Sequence, residues 1–188
     1  MNVFIKKIKE KITISHEEEL FLQEIIKEKH YKRNTFFIKP TQVCSKIGFV
    51  ENGAFRVFNI DVHGTEMTNW LIIDNDIITE IFSFIKQTPS QEYIQSLEDT
   101  TIYYITFNDL EMVYKKIPDF HIFIKLTYED ILVDLKQNIF ANIHKTATER
   151  YETLLATKPQ LFQQISLKYI ASFLGMTDST LSRIRNKK

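Results

Sequence analysis

The apolar residues near the start of the chain recur at a helical period, which predicts a lead-in helix. Ser15 and Glu18 form a capping box, in which the serine oxygen accepts one free amide and the glutamate reaches back to another. The apolar positions that follow have the spacing of one helix face: Leu20, Phe21, Ile25 and Ile26. We expect this helix to end near His30.

Between residues 34 and 108 the helical period gives way to short runs rich in β-branched and aromatic residues, which predict β-strands. The runs are TFFIKP, KIGFV, AFRVFNI, TEMTNWLII, EYIQSL and TIYYITF. Strands this short and this closely spaced indicate a small barrel or jelly roll. A short helix over Ile77–Lys86 is expected to interrupt them.

Turn residues separate the predicted strands. Asn52-Gly53 is typical of a tight hairpin turn, because these residues tolerate positive φ values. Asp61–Gly64 marks a second turn. We assign Gly48, like Gly53 and Gly64, to a chain reversal.

A long helix is predicted after the strands. Asn108 is the expected N-cap of a first helix that Pro118 ends. From Asp119 to about Lys145 the chain has no Pro or Gly, and one stripe recurs every three or four residues: Ile124, Tyr128, Ile131, Leu135, Asn138 and Asn142. Such a stripe is either core or the seam of a helix dimer, and two asparagines in register favour a role in helix pairing.

From residue 146 onward the pattern predicts three more short helices, the first within TATERYETLLATKP. The closing segment, SLKYIASFLGMTDSTLSRIRNKK, has the layout of a helix-turn-helix. We expect Ser166 to cap its first helix, Gly175 to form the turn and Thr177 to cap its second helix. The expected inward residues are Leu167, Ile170, Ala171, Leu174, Leu181 and Ile184.

The outer face of the last predicted helix is polar. It presents hydroxyl, amide and guanidinium groups, which can bind base edges and phosphates in a major groove. The candidate DNA-contacting residues are Lys168, Thr177, Asp178, Ser179, Thr180, Ser182, Arg183, Arg185, Asn186 and Lys187. An ordinary helical hairpin with a polar surface is the alternative.

The formal net charge is zero, but the charges are unevenly distributed. Residues 145–188 hold eight Lys or Arg against three Asp or Glu, a net charge of +5, so residues 1–144 carry −5. A basic end on an acidic body is typical of a protein with a polyanionic partner, and also of a solvated basic terminus.

The sequence offers little for a cofactor, and we predict none. The single cysteine, Cys44, excludes an internal disulfide and a thiolate cluster, and we expect it to be a buried or turn residue. The five histidines lack metal-ligand spacing, and a haem contact through His63 or His121 is disfavoured. The charged start and the lack of a long apolar stretch predict a cytoplasmic protein without a signal peptide or membrane span.

Most of the chain resembles Crp/Fnr-type transcription regulators, especially the short-tailed group common in Bacteroidetes. FVENGAFRVFNIDVHGTEMTNWLIIDNDIITEIFSF is similar to their cyclic-nucleotide-binding-type β-roll, and YIQSLEDTTIYYITFNDLEMVYKKIPDF to its last strands and the start of the dimerisation helix. LKYIASFLGMTDSTLSRIRNKK is similar to their DNA-binding end, and we expect no β-wing after it.

The resemblance implies an α+β fold in three parts. These are a helical lead-in with an antiparallel, jelly-roll-like β-roll (1–118), a dimerisation helix (119–145) and an all-α helix-turn-helix domain (146–188). It further implies a homodimer that binds a two-fold-symmetric operator on double-stranded DNA, with RNA polymerase as a partner if the protein is an activator.

The resemblance also identifies a candidate effector pocket. The family's cyclic nucleotide binders use a Gly-Glu-Leu segment and a later Arg-Ser pair, where this chain has Thr79-Glu80-Ile81 and Ser90-Gln91. Because nothing in PSQEYIQ supplies the cation that pairs with the phosphate, we expect no tight cyclic AMP binding. The alternatives for the β-roll are another small molecule between the strands and the long helix, or no ligand, and Glu80 has the alternative of an exposed helix residue.

Asp178 and Ser179 stand where better-known family members have Arg and Glu, whereas Arg183 is retained. We therefore expect Arg183 to read a base, and assign phosphate contacts to Lys168, Arg185, Lys187 and Lys188. The rival function is a β-roll sensor or protein-interaction module that does not bind DNA. A metal-dependent jelly-roll enzyme is disfavoured, because His63 is the one histidine of the β segment.

Overall fold

A computed structural model describes residues 2–186. The helices are α1 (Val3–Lys11), α2 (His16–Ile25), α3 (Ile81–Lys86), α4 (Leu110–Lys116), α5 (Phe120–His144), α6 (Ala147–Thr157), α7 (Leu161–Gln164), α8 (Leu167–Phe173) and α9 (Asp178–Asn186). The strands are β1 (Lys27–Tyr31), β2 (Phe36–Ile38), β3 (Lys46–Asn52), β4 (Phe55–Ile60), β5 (Glu66–Ile72), β6 (Ile77–Ile78), β7 (Tyr93–Ser96) and β8 (Thr100–Thr106).

The strands form two antiparallel four-stranded sheets, which confirms the α+β class and the antiparallel β-roll. The first sheet has the order β1-β8-β3-β6 and the second β2-β7-β4-β5. Large apolar side chains between and around the sheets make one buried cluster, which includes Phe4 of α1 and Phe123 of α5. Helix α1, which precedes the predicted lead-in helix, and the first half of α5 are therefore part of the sheet core. None of the described helices is long and apolar enough to cross a membrane.

All six predicted strand segments are strands in the structure, and the Ser15–Glu18 capping box is confirmed. The lead-in helix was expected to end near His30, and this is wrong: the helix, α2, ends at Ile25, and strand β1 begins at Lys27. Strand β1, KEKHY, buries only Tyr31 among its residues. The segment therefore lacks the alternation of apolar and polar residues by which a strand is predicted. Its strand conformation depends on backbone pairing with β8.

The predicted hairpin at Asn52-Gly53 is also wrong. Gly53 has a positive φ of 101°, but the flanking strands β3 and β4 belong to different sheets and do not pair. The turn carries the chain from one sheet to the other, and the Gly53 amide donates to Asp74 Oδ1 at 2.7 Å. The turn at Asp61–Gly64 does join paired strands, β4 and β5.

Gly48 lies inside β3 and does not reverse the chain, contrary to expectation. A Cβ at this position would collide with the backbone carbonyl oxygen of Tyr103 in β8. Glycine is therefore needed here for the close approach of two strands.

Two predicted helix starts are displaced. The segment predicted as one helix over 77–86 divides into β6 and α3, with Glu80 as the N-cap of α3. Asn108 is not an N-cap. Thr106 and Asp109 form a capping box around a 3-10 turn, Phe107–Asp109, and α4 follows directly.

Thr41 has left-handed backbone although its side chain is β-branched. Its φ is 72°, and it follows Pro40 in a turn closed by the Gln42 amide, which donates to the Lys39 carbonyl at 3.2 Å. L-residues are strained in this region by about 1–2 kcal/mol, and β-branched residues are rarely found there.

Replacing Thr41 with Gly is expected to raise the free energy of unfolding by about 1 kcal/mol, because the relieved strain exceeds the entropic cost of glycine. Urea denaturation measures the change. Asn34→Gly is the matched control, since Asn34 has a φ of 65° and asparagine tolerates this region. An equal gain in both variants, or a loss in Thr41→Gly, would contradict the interpretation.

Candidate functional site

A cavity of about 430 Å³ lies between the second sheet and α5. Its walls come from β4, β5, β6, α3 and the middle of α5, and most of the lining side chains are apolar: Val57, Trp70, Ile72, Ile77, Ile81, Phe82, Ile85, Ile131 and Leu135. The volume is in the range of small-molecule sites. The cavity occupies the space between the strands and the long helix, where a small-molecule ligand is one of the expected alternatives.

Glu80 borders this cavity and is buried, so the expectation of an exposed helix residue is wrong. The residue is 6% exposed, and its side chain caps α3, with Oε1 accepting from the Phe82 amide and Oε2 from the Ser83 amide, both at 3.0 Å. Thr79 also lines the cavity, but its hydroxyl donates to the Lys46 carbonyl at 2.9 Å.

Ser90 and Gln91, the other two candidates, do not line the cavity. Ser90 is buried in the turn, where its amide donates to the Gln42 carbonyl at 2.8 Å, and Gln91 is exposed. Glu92 lines the cavity instead. The Asn69 side chain donates to Glu92 Oε1 at 2.6 Å.

The charges around the cavity are mainly negative. Burial raises the pKa of the Glu92 carboxyl and the nearby Glu80 carboxylate adds to this, whereas the hydrogen bond from Asn69 opposes it. Among the described lining residues Lys86 is the one cation, and its side chain is exposed. A phosphate here would face two carboxylates without a buried cationic partner.

The C-terminal helices α8 and α9 meet at a tight turn, as expected. Gly175 has a φ of 63°, its amide donates to the Ser172 carbonyl, and the Met176 amide donates to the Ala171 carbonyl, both at 3.0 Å. Ala171 is fully buried, so the two helices approach closely at this small residue.

The caps and inner face of this helix pair were predicted in part. Thr177 caps α9 as expected, with its hydroxyl accepting from the Thr180 amide at 3.2 Å. Ser166 occupies the N-cap position of α8, but its side chain makes no cap hydrogen bond. Leu167 is 37% exposed and is not part of the inner face, whereas the other predicted inward residues are buried or half-buried.

The outer face of α9 is exposed in this chain. Its candidate residues lie at the surface, except that Thr180 is half-buried, and Lys168 of α8 is exposed too. The Arg183 side chain folds back onto α9, where its Nε donates to the Ser179 carbonyl at 3.4 Å. Lys187 and Lys188 lie outside the described residues.

The C-terminal helices pack on the second sheet through Arg56 of β4. The Arg56 side chain is buried, with the residue 4% exposed, pairs with Glu66 at 2.5 Å and donates to Gln95 Oε1 at 2.9 Å. Its guanidinium lies 4.0 Å from the ring centre of Phe58 and 4.3 Å from that of Tyr169 in α8. One buried cation therefore joins β4, β5, β7 and α8.

Further contacts extend this packing along β5 and α8. The Trp70 and Phe173 rings meet edge to face at 6.3 Å, and the Thr68 amide donates to the Ser172 hydroxyl at 3.0 Å. Leu71 belongs to the same buried cluster as the C-terminal helices. The structure therefore does not show these helices as a separate all-α domain.

Arg150, counted among the basic residues of the C-terminal part, has a structural role. Its Nε donates to the Leu174 carbonyl at 2.9 Å and its guanidinium also donates to the Lys145 carbonyl at 2.8 Å. It thereby joins the end of α5 to the end of α8.

The residues of the predicted stripe on α5 lie in three different environments. Ile124 is buried and Tyr128 half-buried in the sheet core, whereas Ile131 and Leu135 line the cavity described above. Asn138 and Asn142 line a second cavity of about 690 Å³ between α5 and the C-terminal helices. The large apolar side chains exposed on the second half of α5 are Leu132, Val133, Leu135, Ile139, Phe140 and Ile143.

Residues 28–116 match the family model of the cyclic nucleotide-binding domain. This segment is therefore similar to domains of the cyclic nucleotide-binding type. The match covers β1 to α4 and therefore includes both sheets and the cavity wall contributed by α3. No curated protein sequence matches the chain.

Solved structures with the same fold extend over nearly the whole chain. A CooA mutant from Carboxydothermus hydrogenoformans has a TM-score of 0.72 at 21% identity, over 100% of this chain and 84% of that one. FixK2 from Bradyrhizobium japonicum has a TM-score of 0.73 at 18% identity, over 87% and 84%. CLP from Xanthomonas campestris, a cyclic-di-GMP-responsive regulator, has a TM-score of 0.71 at 13% identity, over 92% and 91%.

These structural neighbours are regulators of the Crp/Fnr family. At such identities the likeness establishes a shared fold, with antiparallel sheets and a long helix.

Replacing Arg56 with Met is expected to lower the free energy of unfolding by about 2 kcal/mol, because the aliphatic stem is kept while the buried pairs with Glu66 and Gln95 are lost. Urea denaturation measures this, and hydrogen exchange over α8 should rise. Lys39→Met, which removes an exposed cation over Phe36, is the control and should change stability by less than about 0.5 kcal/mol. Unchanged exchange in α8 would contradict the role of Arg56 in packing the helix.

Proposed function

We propose that this chain is a DNA-binding transcription regulator of the Crp/Fnr type that acts as a homodimer on a two-fold-symmetric operator. The observation that carries the proposal is the position of α9, whose apolar face is buried against α8 while its polar face is exposed. A short helix presented in this way matches a recognition helix, which enters the major groove with its outer side chains.

The assignments along this face follow from side-chain chemistry. Arg183 can form a bidentate pair with a guanine edge, which is the commonest specific contact in DNA recognition. Lys168, Arg185 and Lys187 are assigned to phosphates, which position the protein without reading sequence. The hydroxyls of Thr177, Ser179, Thr180 and Ser182, together with Asp178 and Asn186, complete the surface.

The exposed apolar stripe on α5 supports the dimer. Leu132, Leu135 and Ile139 follow the three- and four-residue steps of a helix seam, and Ile143 extends it. Leu132 is 64% and Ile143 69% exposed in the single chain, which is unfavourable for a row of large apolar side chains. We therefore propose that the dimer seam lies in the C-terminal half of α5, since Ile124 and Tyr128 contribute to the chain's own core.

The sheet domain is proposed to be the sensor, with no requirement for a cyclic nucleotide. Lys86 is the one cation of the cavity wall among the described residues, and neither Ser90 nor Gln91 reaches the cavity. We propose no catalytic role for this domain.

The second candidate function is a sensor or interaction module that does not bind DNA. The packing of α8 on β4 and β5 favours it, because a helix pair held by the sheet can serve structure alone. A gel shift on genomic fragments at several salt concentrations separates the two functions, since phosphate contacts weaken steeply with ionic strength.

Replacing Arg183 with Ala is expected to weaken binding to the cognate operator about 5- to 100-fold, while non-specific binding falls much less, because a base contact is lost. The measurement compares affinities for operator and random DNA at one salt concentration. Lys168→Ala is the matched control, expected to weaken both DNAs alike and to lower the salt slope by about one. An equal loss on both DNAs in Arg183→Ala would reassign this residue to a phosphate.

The double variant Leu132→Glu/Ile139→Glu is expected to shift the chain from dimer to monomer and to abolish operator binding, because two charges would be buried in the seam. Sedimentation velocity and gel shift measure the two effects. Gln137→Glu, which adds an acid to the same helix outside the stripe, should remain dimeric. A dimer that persists with both glutamates would place the pairing surface elsewhere.

A further inference from the structure

The cavity of the sheet domain combines apolar walls with a negative rim. Trp70 and the aliphatic side chains of β4, β6 and α5 form the walls, and the two carboxylates are Glu80 at the start of α3 and Glu92 at the start of β7. An occupant must therefore have an apolar body and tolerate, or neutralise, negative charge.

The two carboxylates are not equally available to a ligand. Both oxygens of Glu80 accept backbone amides of α3, so this residue contributes negative potential but no vacant acceptor. Glu92 Oε1 accepts from Asn69, and no described residue donates to Glu92 Oε2. Glu92 is thus the acceptor that a ligand can use.

The tryptophan supplies a second feature that favours a cation. Trp70 lines the cavity together with Glu92, and its indole already has the Lys158 ammonium 5.5 Å from the ring centre, within the distance of about 6 Å at which an indole face attracts such groups. Burial raises the pKa of the Glu92 carboxyl, and the nearby Glu80 carboxylate adds to this. A ligand cation would remove this cost, whereas an anion would increase it.

We propose that this cavity binds an organic cation with an apolar body, of the protonated aryl- or alkylamine class, with Glu92 as the ion-pairing residue. The inference deepens the function proposed above and rests on it, since it names the class of effector that the sensor domain recognises. Anionic effectors such as cyclic nucleotides are excluded by the same charges.

The test uses three probes with one apolar body and different charge: phenethylammonium, phenethyl alcohol and hydrocinnamate, with cyclic AMP as a further anion. Trp70 is the chain's one tryptophan, so its fluorescence reports binding without a label, and calorimetry gives the affinities. We expect phenethylammonium to bind about tenfold more tightly than the alcohol, and both anions to bind more weakly than the alcohol.

Glu92→Gln should remove the preference for the cation and leave the affinity for the alcohol unchanged. Glu24→Gln is the matched control, because Glu24 is exposed on α2 and does not line the cavity. Circular dichroism shows whether the variants fold. Should Glu92→Gln fail to fold, the pH dependence of the unmodified protein tests the same point.

The titratable groups that face Glu92 across the cavity are Glu80 and Lys86 of the α3 segment, while α5 and the strands contribute apolar side chains and Asn69. Protonating Glu92 removes the charge that attracts the ligand. Affinity for phenethylammonium should therefore fall as the pH falls through the raised pKa of Glu92, while affinity for the alcohol stays constant.

Equal affinities for cation and alcohol, tighter binding of either anion, or no binding of any probe at millimolar concentration would overturn the inference. A gel shift on genomic DNA run in parallel separates this from the proposed function. DNA binding without a preference for the cation rejects the ligand class alone, and a preference for the cation without DNA binding rejects the regulator alone.

Discussion

The buried Arg56 guanidinium is the interaction on which the arrangement of the whole chain depends. A charge in the interior is tolerated only when it is paired and hydrogen-bonded, and here the partners come from β5 and β7, with an aromatic ring of α8 on one side. The ion pair, hydrogen bond and ring contact of the Arg56 guanidinium therefore link three strands of the second sheet to the C-terminal helices.

The second sheet borders both the cavity under α5 and the C-terminal helices, and Trp70 of this sheet takes part in both contacts. Trp70 lines the cavity under α5 and meets Phe173 of α8 edge to face. The Lys158 ammonium lies 5.5 Å from the Trp70 ring centre and pairs with Asp134 of α5 at 2.6 Å. The cavity, the long helix and the C-terminal helices thus meet around the Trp70 indole.

The charges of the described lining residues differ from those that a phosphate site requires. A phosphate site needs a fixed cation, and this cavity instead holds a capped glutamate, a second carboxylate of raised pKa and a lysine at its exposed edge. The fold positions a ligand-sized space, and the side chains decide which charge can enter it.

Local signals in the sequence determined much of this protein: the strands with strong β-branched and aromatic content, the Ser15–Glu18 cap, the Gly175 turn and the buried Ala171 can each be predicted from a few neighbouring residues. The tertiary structure alone decided the rest. Strand β1 forms by pairing with a partner more than 60 residues away, Glu80 is buried by its cap on α3, and Glu92 reaches the cavity where Ser90 and Gln91 do not. The stripe of α5 could not be assigned from its period, because a helical period reports which residues share a face and not what covers that face. Burial and pairing depend on residues distant in the chain, and these are brought together only when the sheets close over the core.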